Sequence, residues 1–399
     1  MFRQVTDALV RAAAPRVLRD PVLAVSEARR IFFGRDRVPS GLVSERVLAS
    51  WQRCRALGLD PAQRPAPDAL RRDELGLLRE RNAILLRAAT PVLRTIAAHI
   101  DGDPNLVLLT DAAGVILSVE GNREFAICAR RRDLRPGLVL RESARGTNAP
   151  GACVQEAGPL VVHGAEHYLA MYSIFTCSAA PIHGPDGEMA GVIDITGDAR
   201  ALPPYPVTLP RMAATLIEQQ LIRLSYPRHA LLRFHRRPEY LGAIGEGIAV
   251  LAEDGRVLGI NTAGLGLLGL AGSEVRGKPL DEVVDARVAE LRGPARGALQ
   301  RVVRLQARGG ARFYARLEDA GRANSVSTES GAQAVQPADA GHALRQVENA
   351  AVQRALAAER GNVSAAARRL GIARTTLYRK LGRLGVADCR DSRQRRAAR

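Results

Sequence analysis

The stretch that most limits what this chain can become is GNVSAAARRLGIARTTLYRKLGRLG, Gly361 to Gly385. Val363, Ala366, Ala367 and Leu370 recur at i, i+3, i+4 and i+7, which puts them on one face of a helix. Asn362 precedes them as a candidate N-cap, and Gly371 follows as a residue that tolerates the positive φ of a helix C-terminus. A second helix would align Leu377, Leu381 and Leu384 on one side. Its other side presents Arg374, Thr375, Thr376, Tyr378, Arg379, Lys380 and Arg383. A short helix, a glycine turn and a cation-rich second helix form a helix-turn-helix pattern. The second helix is expected to enter the major groove of double-stranded DNA, with its first residues at base edges and its later cations at phosphates. The alternative is a plain helical hairpin with a solvated basic face. Packing residues, turn glycine and cation placement agree on the groove-binding reading.

Charge points the same way. The net charge is +17 and the isoelectric point about 10.8. From His342 onward there are 14 Lys/Arg against 4 Asp/Glu, so +10 of that excess falls on the last part of the chain. A polyanionic partner follows, most simply nucleic acid. The five cysteines, Cys54, Cys128, Cys153, Cys177 and Cys389, are odd in number, widely spread and without a CxxC pair. That pattern predicts reduced thiols in a cytoplasm rather than a disulfide framework or zinc knuckle. The opening MFRQVTDALVRAAAPRVLRD carries arginines throughout, and no uncharged apolar run long enough for a bilayer occurs. A soluble cytoplasmic protein with no membrane partner is expected.

At residue level, Gly361 to Leu381 resembles the C-terminal helix-turn-helix of the Fis family. The resemblance implies that the preceding helix, about Leu344 to Arg360, pairs two chains into a homodimer. It also implies that Arg374, Thr376 and Arg379 contact DNA. Ala373 stands where Fis itself has a polar residue, which implies a different target site.

Residues 1 to about 100 read as mostly helical. VSERVLASWQRCRALGLDP, Val43 to Pro61, is an amphipathic helix with Val43, Val47 and Trp51 on one side, and a second helix is expected over Leu70 to His99. The period then changes. NLVLLTDAAGVILSVEG gives strand, turn at Asp111 to Gly114, and strand; PLVVHG and FTCSAAPIHGPDGEMAGVIDITG repeat the pattern, with a hairpin turn at Pro185 to Gly187. Here Glu142 to Asp198 resembles the GAF sensor domain of AcoR-type activators of acetoin catabolism, and SWQRCRALGLDP is similar to their lead-in. A GAF domain implies a six-stranded sheet that encloses a small molecule on one face. By resemblance, Asn148, His163, Glu166, His167, Cys177 and Asp194 are its candidate ligand-binding residues. After a helix near Leu209 to Leu224, residues Leu241 to Leu280 read as helix, IAVLAEDGRVLGIN hairpin and helix, followed by a strand near Gly310 to Leu317; this block resembles a PAS domain. EDAGRANSVSTESGAQAVQPADAG has the composition of a flexible linker. AcoR-type activators carry an AAA+ ATPase that works on sigma-54 polymerase between the PAS region and the helix-turn-helix. Only about 25 residues fill that place here, against ~100–200 for a domain.

Three motifs suggest other chemistry. GSEVRGKP, Gly272 to Pro279, approaches a Walker A loop, but Pro279 replaces the Ser or Thr that holds Mg²⁺. GLGLLG, Gly264 to Gly269, fits GxGxxG without the βαβ unit and acidic residue that a dinucleotide needs. HGAEH, His163 to His167, has the HxxEH form of inverted zinc proteases, but its first His follows a β-rich run and precedes Gly164. Cys177 in FTCSAAPI reads as a small core residue.

The fold class expected is α+β and multidomain: an N-terminal helical lead-in (1–76), a GAF-like sensor (77–204), a connecting helix (205–237), a PAS-like domain (238–317), a flexible linker (318–341), an all-α Fis-type helix-turn-helix (342–388) and a basic tail (389–399). The function expected is a DNA-binding regulator that senses a small effector, acetoin-like alcohol or ketone, and binds inverted repeats as a homodimer. RNA polymerase is a further candidate partner. The alternative is an adaptor or antagonist that heterodimerises with a motor-bearing homologue. No catalytic residue, metal site or cofactor is expected, and the chain is not read as an enzyme.

Overall fold

A computed structural model describes residues 21–35, 38–66, 68–100, 104–200, 207–291 and 302–318, together with Leu356, Glu359, Asn362, Val363, Ala365 and Leu377. The chain divides into two units, Met1–Ala334 and Val335–Arg399.

The first unit begins with α1 (Pro21–Arg35) and α2 (Glu45–Ala56). The Ser44 hydroxyl accepts from the Val47 N–H at 3.2 Å and so caps α2, while Val47, Ser50, Trp51 and Cys54 face inward. Val43 lies ahead of this helix and not on it. The single helix expected over Leu70 to His99 is two, α3 (Arg72–Arg81) and α4 (Ala83–His99). Asn82 leaves the helical region (φ −98°, ψ 21°), and its side chain donates to the Leu78 carbonyl at 2.9 Å in competition with the backbone.

A five-stranded antiparallel sheet follows, with β1 (Asn105–Asp111), β2 (Ile116–Gly121), α5 (Arg123–Arg130), α6 (Glu142–Arg145), α7 (Ala149–Glu156), β3 (Leu160–His163), β4 (Phe175–His183) and β5 (Met189–Asp198). Its order is β2-β1-β5-β4-β3. The resemblance implied six strands; the described residues form five. Val139 makes only an isolated bridge to Val115, because α6 starts three residues later and leaves no length for a ladder. One face of the sheet is covered by α4 and by α8 (Thr208–Ser225). The other faces an aromatic core in which Trp51, Tyr168, Tyr172 and Phe175 are buried with Phe32. The lead-in therefore supplies part of the core of this first domain itself. Removing a ring such as Trp51 would cost about 3–5 kcal/mol.

The helix expected near Leu209 to Leu224 is α8, and it occupies only part of the connecting segment 205–237. It ends at Ser225, ahead of Pro227, and Ala230–His235 is a strand, β6. This strand is central and buried on both faces, so ALLRFH shows no alternation that would have announced it. It opens a second five-stranded sheet with β7 (Gly247–Leu251), β8 (Val257–Ile260), α9 (Thr262–Leu268), β9 (Val303–Gln306) and β10 (Arg312–Glu318), in the order β8-β7-β6-β10-β9. The helix expected to start this block is only a 3₁₀ turn at Pro238–Tyr240. Its core is apolar throughout and holds a cavity of about 20 Å³ lined by Leu232, Phe234, Ile260 and Phe313 among others. That is room for about one water and not for a metabolite.

In the second unit the Asn362 side chain accepts from the Ala365 N–H at 3.1 Å, as an N-cap does, and Val363 and Leu377 are buried. The linker expected over 318–341 lies outside the described residues beyond Glu318, as does the basic tail.

Candidate functional site

The six ligand-site residues proposed from sequence separate into three places. Cys177 and Asp194 come together on the inner sheet face. The register opposes Asp194 to Leu108 and Ala179, and Thr196 to Leu106 and Cys177, so all six point to the aromatic core. The Thr196 hydroxyl donates to Asp194 Oδ2 at 2.5 Å and lies 3.2 Å from Cys177 Sγ. Asp194 is fully buried, and its Oδ1 makes no well-formed hydrogen bond. Burial pushes this carboxyl up to about 7, against the Thr196 hydroxyl and Ser178 N–H that hold it down. Burial and the Asp194 charge push the Cys177 thiol well above its usual range, and the nearby Cys153 thiol up to about 12. Both thiols are therefore protonated small core groups.

His163, Glu166 and His167 occupy the β3–β4 connection. His163 ends β3, and Gly164–Glu166 is a 3₁₀ turn, so the two imidazoles do not share a regular helix. Glu166 accepts from the His163 N–H at 2.7 Å, and its carbonyl accepts from the Trp51 indole at 2.7 Å. Burial raises the Glu166 carboxyl to about 7 and lowers the His163 imidazole. His167 is buried with Nδ1 3.0 Å from the Gly164 carbonyl, and burial drops its pKa to about 4, so it is neutral at physiological pH. Arg29 of α1 clamps this connection by donating to the carbonyls of Ala165, His167 and Tyr168 at 3.0, 2.7 and 3.2 Å.

Asn148 stands apart. It caps α7, accepting from the Gly151 N–H at 2.8 Å and donating to the Leu140 and Gly146 carbonyls at 2.8 Å each. Every polar atom of its amide is engaged with backbone, which is a scaffold role. Among the described residues no group of three or more His, Cys, Asp or Glu is placed to hold a metal ion.

Sequence reasoning passed over Arg145 and Tyr172. Arg145 is fully buried, with Nη2 donating to the Ala66 carbonyl at 3.0 Å and with Nε and Nη1 unpartnered. The Tyr172 hydroxyl is also buried, close to the Arg145 guanidinium but without a well-formed hydrogen bond. Its ring stacks on Phe175 at 6.4 Å and lies 6.5 Å from that of His167. In a chain with 58 Lys and Arg, nothing marks one arginine as buried. The acidic neighbour Glu142 is committed elsewhere: it accepts from Arg53 at 2.7 and 2.9 Å and from the Ser50 hydroxyl at 2.6 Å.

The residues expected to face DNA, Arg374, Thr375, Thr376, Tyr378, Arg379, Lys380 and Arg383, lie outside the described residues. No helix among the described residues is long and apolar enough to cross a membrane.

Residues 22–219 match the family described as MimR, N-terminal domain; 241–315 match a PAS fold; and 343–384 match the bacterial regulatory proteins of the Fis family. The chain is 32% identical over 177 residues to the acetoin dehydrogenase operon transcriptional activator AcoR of Bacillus subtilis, covering 44% of this chain and 29% of that protein. It is 29% identical over 293 residues to the acetoin catabolism regulatory protein of Cupriavidus necator, covering 70% and 44%. It is 32% identical over 198 residues to the propane 2-monooxygenase operon transcriptional activator MimR of Mycolicibacterium smegmatis, covering 49% and 32%. The chain thus spans less than half the length of each of these relatives.

Proposed function

From a chain that is a relative of AcoR- and MimR-type transcriptional regulators and carries their N-terminal, PAS and Fis-family modules, we propose a regulator that binds duplex DNA through residues 343–384 and senses a small effector through its N-terminal domain. What carries the DNA-binding part is the coincidence of the Fis-family match with the cationic helix read from sequence. Arg374, Thr376 and Arg379 contact the duplex, and Thr375, Tyr378, Lys380 and Arg383 flank them on the same side. Two chains pair and place one such helix in each half of an inverted repeat. Ligand binding shifts the pair between geometries that fit or miss that spacing.

What supports effector sensing is Asp194. A fully buried carboxyl whose Oδ1 makes no well-formed hydrogen bond complements the hydroxyl of a small alcohol or hydroxyketone. Cys177 lines that spot, with His163, Glu166 and His167 in the adjoining connection. The chain does not remodel sigma-54 polymerase itself, because the stretch between the PAS and Fis matches, residues 316–342, has no room for an ATPase domain of ~100–200 residues. The same shortness favours a second reading, in which the chain pairs with a motor-bearing homologue and antagonises it.

A chain ending at residue 341 tests the DNA assignment. It should keep its folded sensor and lose specific DNA binding; retained binding would overturn the assignment. Mapping genomic binding sites with and without acetoin tests sensing, since an unchanged occupancy profile counts against that effector. Co-purification as a heterodimer would decide for the antagonist reading, and tight homodimer binding to its own sites would decide against it.

A further inference from the structure

A guanidinium taken wholly out of water costs several kcal/mol unless an anion meets it. Arg145 has no such anion. Its single bond goes to a neutral carbonyl, that of Ala66, and two of its nitrogens are left without an acceptor. Glu142, one helical turn away, is fully engaged by Arg53 and Ser50. The Tyr172 hydroxyl, which makes no well-formed hydrogen bond to another group, lies against the guanidinium and interacts with it. The arrangement is built rather than incidental. Gly146 follows Arg145 at φ +63°, and a Cβ there would come 2.9 Å from Tyr168 Cβ, so the glycine permits the close turn that aims Arg145 inward. Beside it opens a groove of about 380 Å³ lined by Gln63, Arg64, Ala66, Asp68 and Ala144. Ala66, whose carbonyl accepts from the guanidinium, and Ala144, the neighbour of Arg145, both line that groove.

We propose that Arg145 and Tyr172 bind the carboxylate of a small organic acid, which reaches them from the groove lined by Gln63, Arg64, Ala66 and Asp68. Two guanidinium donors and a phenol match the oxygens of one carboxylate, and charge-assisted bonds of this kind are the strong ones in a buried site. The ligand replaces the Ala66 carbonyl or adds to it, and supplies the negative charge that the protein leaves out. This rests on the reading of the N-terminal domain as a small-molecule sensor, and it extends the effector class from neutral alcohols to organic acids.

The test is isothermal titration of the full chain with sodium acetate and sodium pyruvate, and in parallel with neutral acetoin, for wild type, Arg145→Gln, Tyr172→Phe and Asp194→Asn. The carboxylates should bind wild type, and both Arg145→Gln and Tyr172→Phe should weaken them at least about tenfold. Tyr172→Phe removes one oxygen and keeps the ring packing, so it reports even where Arg145→Gln does not fold. Absence of carboxylate binding, or equal affinity in Tyr172→Phe, overturns the proposal. Acetoin binding that Asp194→Asn abolishes, with no carboxylate bound, sinks this proposal and leaves the sensor reading standing. Binding of neither class sinks both.

Discussion

Glu218 on α8 holds Thr262 with both carboxylate oxygens: Oε2 accepts from the Thr262 backbone N–H at 3.2 Å, and Oε1 from its hydroxyl at 3.0 Å. Thr262 is the first residue of α9, so a carboxylate sits where the helix exposes unsatisfied donors. The same Oε1 accepts from the His183 N–H at 3.0 Å, at the end of β4. Alongside, the Ile260 N–H donates to the Pro185 carbonyl at 3.1 Å and Arg276 to that of Asp186 at 2.6 Å. One buried glutamate thus ties the first sheet, the connecting helix and the second sheet together.

Glu218→Ala should lower stability by about 1–3 kcal/mol, because it removes the acceptor of the part-buried donors of His183 and Thr262. Urea unfolding followed by two probes, Trp51 fluorescence for the first sheet and backbone dichroism for the whole, should then separate into two transitions. A single transition at the wild-type midpoint would show that the joint contributes nothing.

Asp194 sets a pH dependence whose sign follows from its raised pKa. Between the unfolded carboxyl value, about 3.9, and about 7 the folded state binds the extra proton. Its contribution is therefore complete below that window and is lost as pH rises through about 7. Asp194→Asn cannot ionise, so its melting temperature should fall less than that of wild type between pH 5 and pH 8. Parallel profiles for the two proteins would mean that Asp194 is solvated.

Arg374→Ala should cost about 1–3 kcal/mol of specific DNA binding and relax preference at one base position. Footprints that do not change would place the reading helix elsewhere.

Affinity for any duplex should fall steeply with salt, with a log–log slope near −0.9 for each phosphate contacted. A flat dependence would contradict phosphate contacts from the cationic face and the arginines that follow it.

Much of this architecture is legible without coordinates where local signals are strong. The hairpins at Asp111 to Gly114 and Pro185 to Gly187 sit where alternation and turn residues put them. Asn362 accepts from the Ala365 N–H, the bond expected of an N-cap there. Legibility fails where a segment is buried on both sides. β6 falls inside the segment expected only to connect the two sheets, because a central strand has no polar face to display. The break at Asn82 is equally hidden, since one backbone residue leaving the helical region leaves no mark on the hydrophobic period.

The order of the modules and the cationic helix near the C-terminus belong to sequence alone, because propensity, spacing and charge are local and additive. Which side chains lack partners was decided only by folding. Asn148 became a cap, Cys177 a protonated core thiol, and Arg145, one cation among many, the buried charge without an anion. Burial and pairing depend on what distant segments bring to the same point: residue 66 against residue 145, and β5 against β4. No local pattern carries that information.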